Sequence, residues 1–408
     1  MFKLDSFFDF YKRHVSFVFI LFLSLYSIRF GIPLSDYAVI AFILVSFFKY
    51  KRLYFDYVLA LYWVWFALSI ISVIFIKEQQ FFNTESFILS SFRNCLLILA
   101  ISFLPLWLKR WSDRIDVAYG IKWFLLFCPI IQLVFFIMFN MGYHDLFNIV
   151  AHGEQSNRHE WLNIYDYTLY MRFGGLFEEP SWYGWFNVYL FGILVAFERY
   201  SKVKYLNFWE LILVGIGFML TFSIAGILSF LILCFLSVSS KKIRLLIGIV
   251  FFILIMGVFI AFYDNPLIVR ILTIIDGSDG SANARIFGSY FKAVNVISNL
   301  PMGAGVGNTI EAIKEYFYHG KSSLGTVSNQ NGFIEIYLST GLLLGSLYLL
   351  PIILMVFIDK YRLVFITISL VYFTTSSIYI SPMWIFLALS IYILKGTRFS
   401  DNHDYCIR

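Results

Sequence analysis

Apolar residues in this chain are gathered into long uninterrupted runs instead of alternating at the period of a strand or a surface helix. The runs fall near 15–33, 35–48, 54–76, 87–108, 120–142, 182–198, 207–223, 225–239, 243–263, 333–357, 362–378 and 382–395. About 20 apolar residues suffice for a helix to cross the hydrocarbon core of a bilayer. The pattern predicts an all-α, polytopic integral membrane protein with about 12 transmembrane helices. Only the stretch Ser223–Gly226 divides the seventh run from the eighth, so eleven spans is the other count it allows.

Basic residues between the runs set an orientation. With the N-terminus inside, the inner segments hold Lys12/Arg13, Lys49/Lys51/Arg52, Lys109/Arg110/Arg114, Arg199/Lys202/Lys204, Lys241/Lys242/Arg244, Lys360/Arg362 and Lys395/Arg398. Together with Lys3, Lys122 and Arg408 these are 21 of the 31 basic residues, so both termini are expected on the cytoplasmic side. Two connections, 143–181 and 264–332, are far longer than the rest, and both fall on the outer side. The chain 1–408 therefore reads as a single polytopic domain with two large outer loops. A working site must be built from those loops and the helix ends beside them. No internal repeat is present, which argues against a transporter made of duplicated halves.

Composition excludes the soluble classes. Of 408 residues, 60% are hydrophobic, 21% aromatic and 14% charged, and the mean hydropathy is +0.79. A soluble domain carries about 25% charged residues, so this chain cannot coat a globule with a hydrated surface. The net charge of +6 follows the topology and is no sign of nucleic-acid binding. Cys95, Cys128, Cys234 and Cys406 are scattered with no CxxC or Cys/His spacing, so neither a disulfide framework nor a metal site is expected. The opening MFKLDSFFDFYKRH leads into an apolar run without a small-residue cleavage site, as in a retained first span.

The outer loops hold four of the six histidines, His144, His152, His159 and His319. They also hold Arg158, Arg172, Arg270, Arg285, Lys292, Lys314 and Lys321. Solvated loops with ordinary ion pairs account for most of these. Arg172 opens RFGGLFEEPSWYGW, where Glu178 and Glu179 precede Pro180 at the start of a span. The two carboxylates either complement the positive helix end or leave one of their number as a general base. Trp182, Tyr183 and Trp185 read as an interfacial aromatic belt.

In the second loop, Phe287, Phe291, Val294 and Ile297 recur at helical steps, while Arg285, Ser289 and Lys292 form a separate polar stripe. Arg285 and Lys292 are two turns apart, about 10 Å along a helix axis. That reach suits a pyrophosphate, and a solvated charged face is the competing reading. Pro301 then stops the helix. The glycines Gly303, Gly305 and Gly307 form either a flexible turn or a set of backbone N–H donors for an anion. Asn331 and Glu335 lie one turn apart at the start of a late span, and Gly341 and Gly345 form a small-xxx-small packing pair.

Taken in order, RFGGLFEEPS (172–181), Arg285 followed by PMGAGVGN (301–308), and NGFIE…G…G (331–345) resemble the bacterial O-antigen polymerase and ligase superfamily, the Wzy-type polymerases most closely. The resemblance implies a GT-C-like glycosyltransferase of the inner membrane that uses no metal or other cofactor. Its substrates would be undecaprenyl-diphosphate-linked oligosaccharides, joined at the periplasmic face, with a chain-length regulator as protein partner. It further implies that Arg172 and Arg285 bind the diphosphate. Alongside them, the positions of the residues suggest Glu178 or Glu179 for the acceptor proton and Lys292, Asn331, Glu335, His319 and Asn308 for substrate binding. Ligases carry a histidine before the asparagine that opens the late span, where this chain has Gln330. That difference favours polymerase over ligase and leaves the base open among Glu178, Glu179, His319 and Glu335. A transporter or flippase of lipid-linked sugars is the rival of another class; it would place its charges near mid-membrane.

Overall fold

A computed structural model describes residues 4–26, 28–30, 32–143, 176–177, 180–221, 223–238, 272, 285, 288–317, 331–375 and 378–395. The run 243–263 and most of the first long loop lie outside them. The described chain is helical apart from a two-residue antiparallel pair, β1 (Arg29–Phe30) with β2 (Ile32–Pro33), that turns the chain between its first two helices. In order the helices are α1 (Leu4–Ser24), α2 (Leu34–Tyr50), α3 (Tyr57–Ile71), α4 (Val73–Ile76), α5 (Thr84–Trp107) and α6 (Trp111–Asn140). They continue with α7 (Pro180–Ser201), α8 (Phe208–Leu220), α9 (Ile224–Ser237), α10 (Ser289–Asn299), α11 (Thr309–Tyr316), α12 (Gly332–Leu354), α13 (Arg362–Thr374) and α14 (Ser381–Tyr392).

Among the described residues four helical stretches, Tyr57–Ile76, Thr84–Trp107, Trp111–Met138 and Gly332–Phe357, are long and apolar enough to cross a membrane. Large apolar side chains such as Phe48, Phe75, Trp209, Leu343 and Phe357 stand fully exposed on the outside of the bundle. A water-soluble protein would not leave so much apolar surface uncovered. The chain is a multi-pass membrane protein.

The centre of the bundle is occupied by α7 and α14. Every residue of α14 is buried, and α7 is buried from Tyr183 to Phe197. A helix that is apolar all round belongs in such a position. Phe186 and Phe386 join the two edge-to-face at 4.7 Å between ring centroids. Beside them Tyr62, Trp65, Tyr348 and Trp384 interlock α3, α12 and α14, with centroids 5.1 to 5.8 Å apart. Tyr183 and Trp185 are buried in this core and do not form the interfacial belt expected of them. Tyr183 meets Phe177 edge-on at 5.7 Å between centroids, and Trp185 lies 5.6 Å from Phe186.

The stretch at 221–223 is a true reversal. Phe218 of α8 stacks on Phe230 of α9 at 4.7 Å, which is possible only if the two helices fold back on each other. Thr221 helps to make the turn, its hydroxyl donating to the Phe218 carbonyl and accepting from the Ser223 N–H.

Several charges among the described residues of the bundle are paired. Arg93 on α5 meets Asp36 on α2 at 2.9 Å, and Lys122 meets Glu210 at 2.7 Å. At the end where α14 finishes, Lys395 pairs with Asp56 and donates to the Tyr54 hydroxyl. Buried charges persist only with such partners.

Candidate functional site

α10 sits against the first turns of α12, and its polar stripe faces inward. Ser289 and Lys292 are both 0% exposed, whereas Tyr290, Phe291 and Val294 are exposed. The buried face is mixed, with Ala293 and Val296 beside Ser289 and Lys292, while Asn295, Ser298 and Asn299 are exposed together with Tyr290, Phe291 and Val294.

What encloses it is Asn331. As the N-cap of α12 its Oδ1 accepts from the Ile334 N–H at 3.0 Å, the ordinary use of asparagine at that position. Its Nδ2 donates to the Arg285 carbonyl at 3.0 Å, and its backbone N–H donates to the Ser289 hydroxyl at 3.0 Å. One residue thus starts a helix and fastens the stretch carrying Arg285, Ser289 and Lys292 to it. Glu335, one turn on, lies close enough to act electrostatically on Lys292. Burial pushes the Lys292 ammonium down to about 8, against the pull of the Glu335 carboxylate.

The glycine run that follows α10 is a seam between the loop and α12. Gly341 interrupts α12 with φ 76° and ψ 179°. The broken helix is completed by its neighbour: Ala304 and Gly305 donate their N–H groups to the Leu338 and Ser339 carbonyls, both at 2.8 Å. The Leu342 N–H in turn reaches the Pro301 carbonyl at 3.3 Å. Irregular backbone inside a membrane bundle survives where protein satisfies its polar groups. A Cβ on Gly341 would lie 2.3 Å from the Pro301 carbonyl oxygen, and one on Gly303 2.3 Å from the Gly341 nitrogen. Gly303, Gly305 and Gly307 all have positive φ as well. The backbone N–H groups of Gly303, Ala304 and Gly305 are spent on carbonyls, so those three do not serve as the anion donors that the spacing allowed. Gly341 is a kink, while Gly345 lies against the ring of its own helix's Tyr337; the two do not form a shared packing face.

Asn308 closes the seam on its far side. Its Oδ1 accepts from the Asn83 N–H at 2.9 Å, and Asn83 is the N-cap of α5. The residue has a structural task at the rim of the site.

Of the residues expected in a site, Arg285, Lys292, Asn331 and Glu335 are brought together, and Asn308 lies at the edge of the same region. Arg172, Glu178, Glu179 and His319 lie outside the described residues. Between α5, the 306–310 turn and Glu335 is a cavity of about 180 Å³ lined by Ser90, Arg93, Asn94, Thr309, Glu335 and Tyr379. Sequence reasoning passed over Asn94, Thr309 and Tyr379. The available signal was Asn94 itself, an amide beside an arginine in an otherwise apolar span. No protein-family model matches the chain, and no curated protein matches it.

Proposed function

We propose that this chain is a polymerase of lipid-linked oligosaccharides. It would transfer the growing glycan from undecaprenyl diphosphate to the non-reducing end of the next undecaprenyl-diphosphate-linked repeat unit. The observation that carries this reading is the convergence of Arg285, Lys292, Asn331 and Glu335, drawn from two separate stretches, at one end of a membrane bundle. In this reading the enzyme is a GT-C-like glycosyltransferase of the bacterial inner membrane with twelve spans, cytoplasmic termini and a periplasmic site.

The chemistry is a direct displacement. An acceptor hydroxyl attacks the anomeric carbon of the donor glycan, the bond from that carbon to the diphosphate oxygen breaks, and undecaprenyl diphosphate leaves with the electron pair. Arg285 with Arg172 holds the diphosphate, and Lys292 adds positive potential as charge builds on the leaving group. A carboxylate takes the hydroxyl proton. Glu178, Glu179 and Glu335 are the candidates, and Glu335 has the support of standing beside Lys292 and the cavity. One displacement inverts the anomeric configuration. No metal is needed, because the cationic side chains supply the electrostatic stabilisation.

Deleting the gene in its native host and running the extracted lipopolysaccharide on a gel tests this. The polymerase reading expects a single core-plus-one-unit band in place of a ladder. Loss of all O-antigen with long polymer left on undecaprenyl diphosphate would make the chain the ligase, and an unchanged ladder would contradict both.

A further inference from the structure

We infer that the cavity between α5 and the 306–310 turn is a subsite for one neutral sugar ring, read by Asn94 and Thr309. The inference deepens the function proposed above and rests on it for the source of the sugar.

Asn94 is 1% exposed, yet neither its Oδ1 nor its Nδ2 has a hydrogen-bond partner among the described residues. Thr309 is 3% exposed, and its Oγ1 is likewise unpartnered among them. Both residues line the cavity. A buried polar atom left without a partner costs about 1–3 kcal/mol, and the two residues that carry these three atoms line the same cavity. Together they offer two amide N–H donors, an amide acceptor and a hydroxyl that can do either. That mixed set matches the hydroxyls of a sugar, each of which donates and accepts.

Charge argues against an anion in the same place. Arg93, the cationic wall, is paired with Asp36 at 2.9 Å, and Glu335 lies under the influence of Lys292. Besides Asn94 and Thr309 the lining is Ser90, the apolar Val306 and Ile310, Gly307, and the Tyr379 ring, which is held by its hydroxyl bond to Ser339 and its stacking on Trp65. The volume of about 180 Å³ is that of roughly six waters, or of one pyranose ring that displaces them.

Saturation-transfer NMR on the full chain in a zwitterionic detergent provides the test, with methyl glycosides of glucose, galactose, mannose, rhamnose and N-acetylglucosamine as probes. At least one glycoside should receive saturation from the wild-type protein. Asn94→Leu and Thr309→Val should each weaken that binding by about tenfold, as expected for one or two lost hydrogen bonds. Both replacements remove orphaned polar atoms, so thermal stability without sugar should hold or rise, which separates lost binding from misfolding. Absence of signal from every glycoside on folded protein overturns the subsite, as does equal binding by wild type and both variants; the cavity would then hold water alone. A lost ladder on gene deletion beside absent glycoside binding removes the subsite and keeps the polymerase. Glycoside binding beside an unchanged ladder does the reverse.

Discussion

The side-chain amide of Asn331 donates to the backbone carbonyl of Arg285 at 3.0 Å, joining positions 46 residues apart. The same residue caps α12 through its other amide atom. The bond fixes the backbone of Arg285, the residue that the proposed mechanism sets against the lipid diphosphate.

Replacing Asn331 separates these two duties. Asn331→Ala loses the cap and the clamp and should cost about 1–3 kcal/mol of stability. Asn331→Asp keeps an acceptor for the Ile334 N–H but turns a carboxylate oxygen toward the Arg285 carbonyl. It should retain most of the stability and lose most of the activity. Thermal unfolding of detergent-purified protein, set beside complementation of a deletion strain, distinguishes the two variants.

Lys292 gives a dependence on pH. Its folded-state value near 8 lies below the ordinary 10.5, so between those values the unfolded chain binds more protons than the folded one. Stability therefore rises as pH rises through that window and falls again as pH drops through about 8. Activity should move the other way, because the positive charge at Lys292 is lost above about 8. Lys292→Met should flatten the rise in melting temperature between pH ~8 and ~10.5; an unaltered rise would place the titrating group elsewhere.

The kink in α12 sets a contrast between two glycines. Gly341→Ala puts a side chain on a backbone at φ 76°, ψ 179°, a region essentially reserved for glycine and costing about 1–3 kcal/mol by itself, and drives a methyl group into the backbone of Pro301 and Met302. Gly345→Ala meets only the Tyr337 ring, which can turn aside. Expression level and melting temperature should fall sharply for the first and modestly for the second.

Much of the helical layout was legible in the chain. The runs 87–108, 225–239 and 333–357 became Thr84–Trp107, Ile224–Ser237 and Gly332–Leu354, because long apolar runs in lipid leave a backbone few other choices. The polar beginnings of α1 and α6 were missed, since a helix continues past the membrane edge where hydropathy drops. The inward turn of Lys292 was also beyond the pattern. Periodicity set Lys292 on a polar stripe, whereas the face that α10 buries against its neighbours combines Ser289 and Lys292 with Ala293 and Val296. The seam at 301–305 was illegible for another reason: spaced glycines mark where backbone approaches closely, and only the fold shows that the partner is the break at Gly341. Asn94 stood out as an amide in an apolar run, while the turn that brings Thr309 to the same cavity did not.

The most direct measurement is elongation by the purified protein in lipid vesicles supplied with lipid-linked repeat units from its own host. Wild-type protein should build a ladder of longer glycans on undecaprenyl diphosphate without added metal or nucleotide sugar. Arg285→Ala, folded and inserted equally well, should build none, and Arg285→Lys should recover little, because lysine cannot reproduce the bidentate fork on phosphate. A ladder made as well by Arg285→Ala as by wild type, or no ladder from wild type at all, would contradict the account.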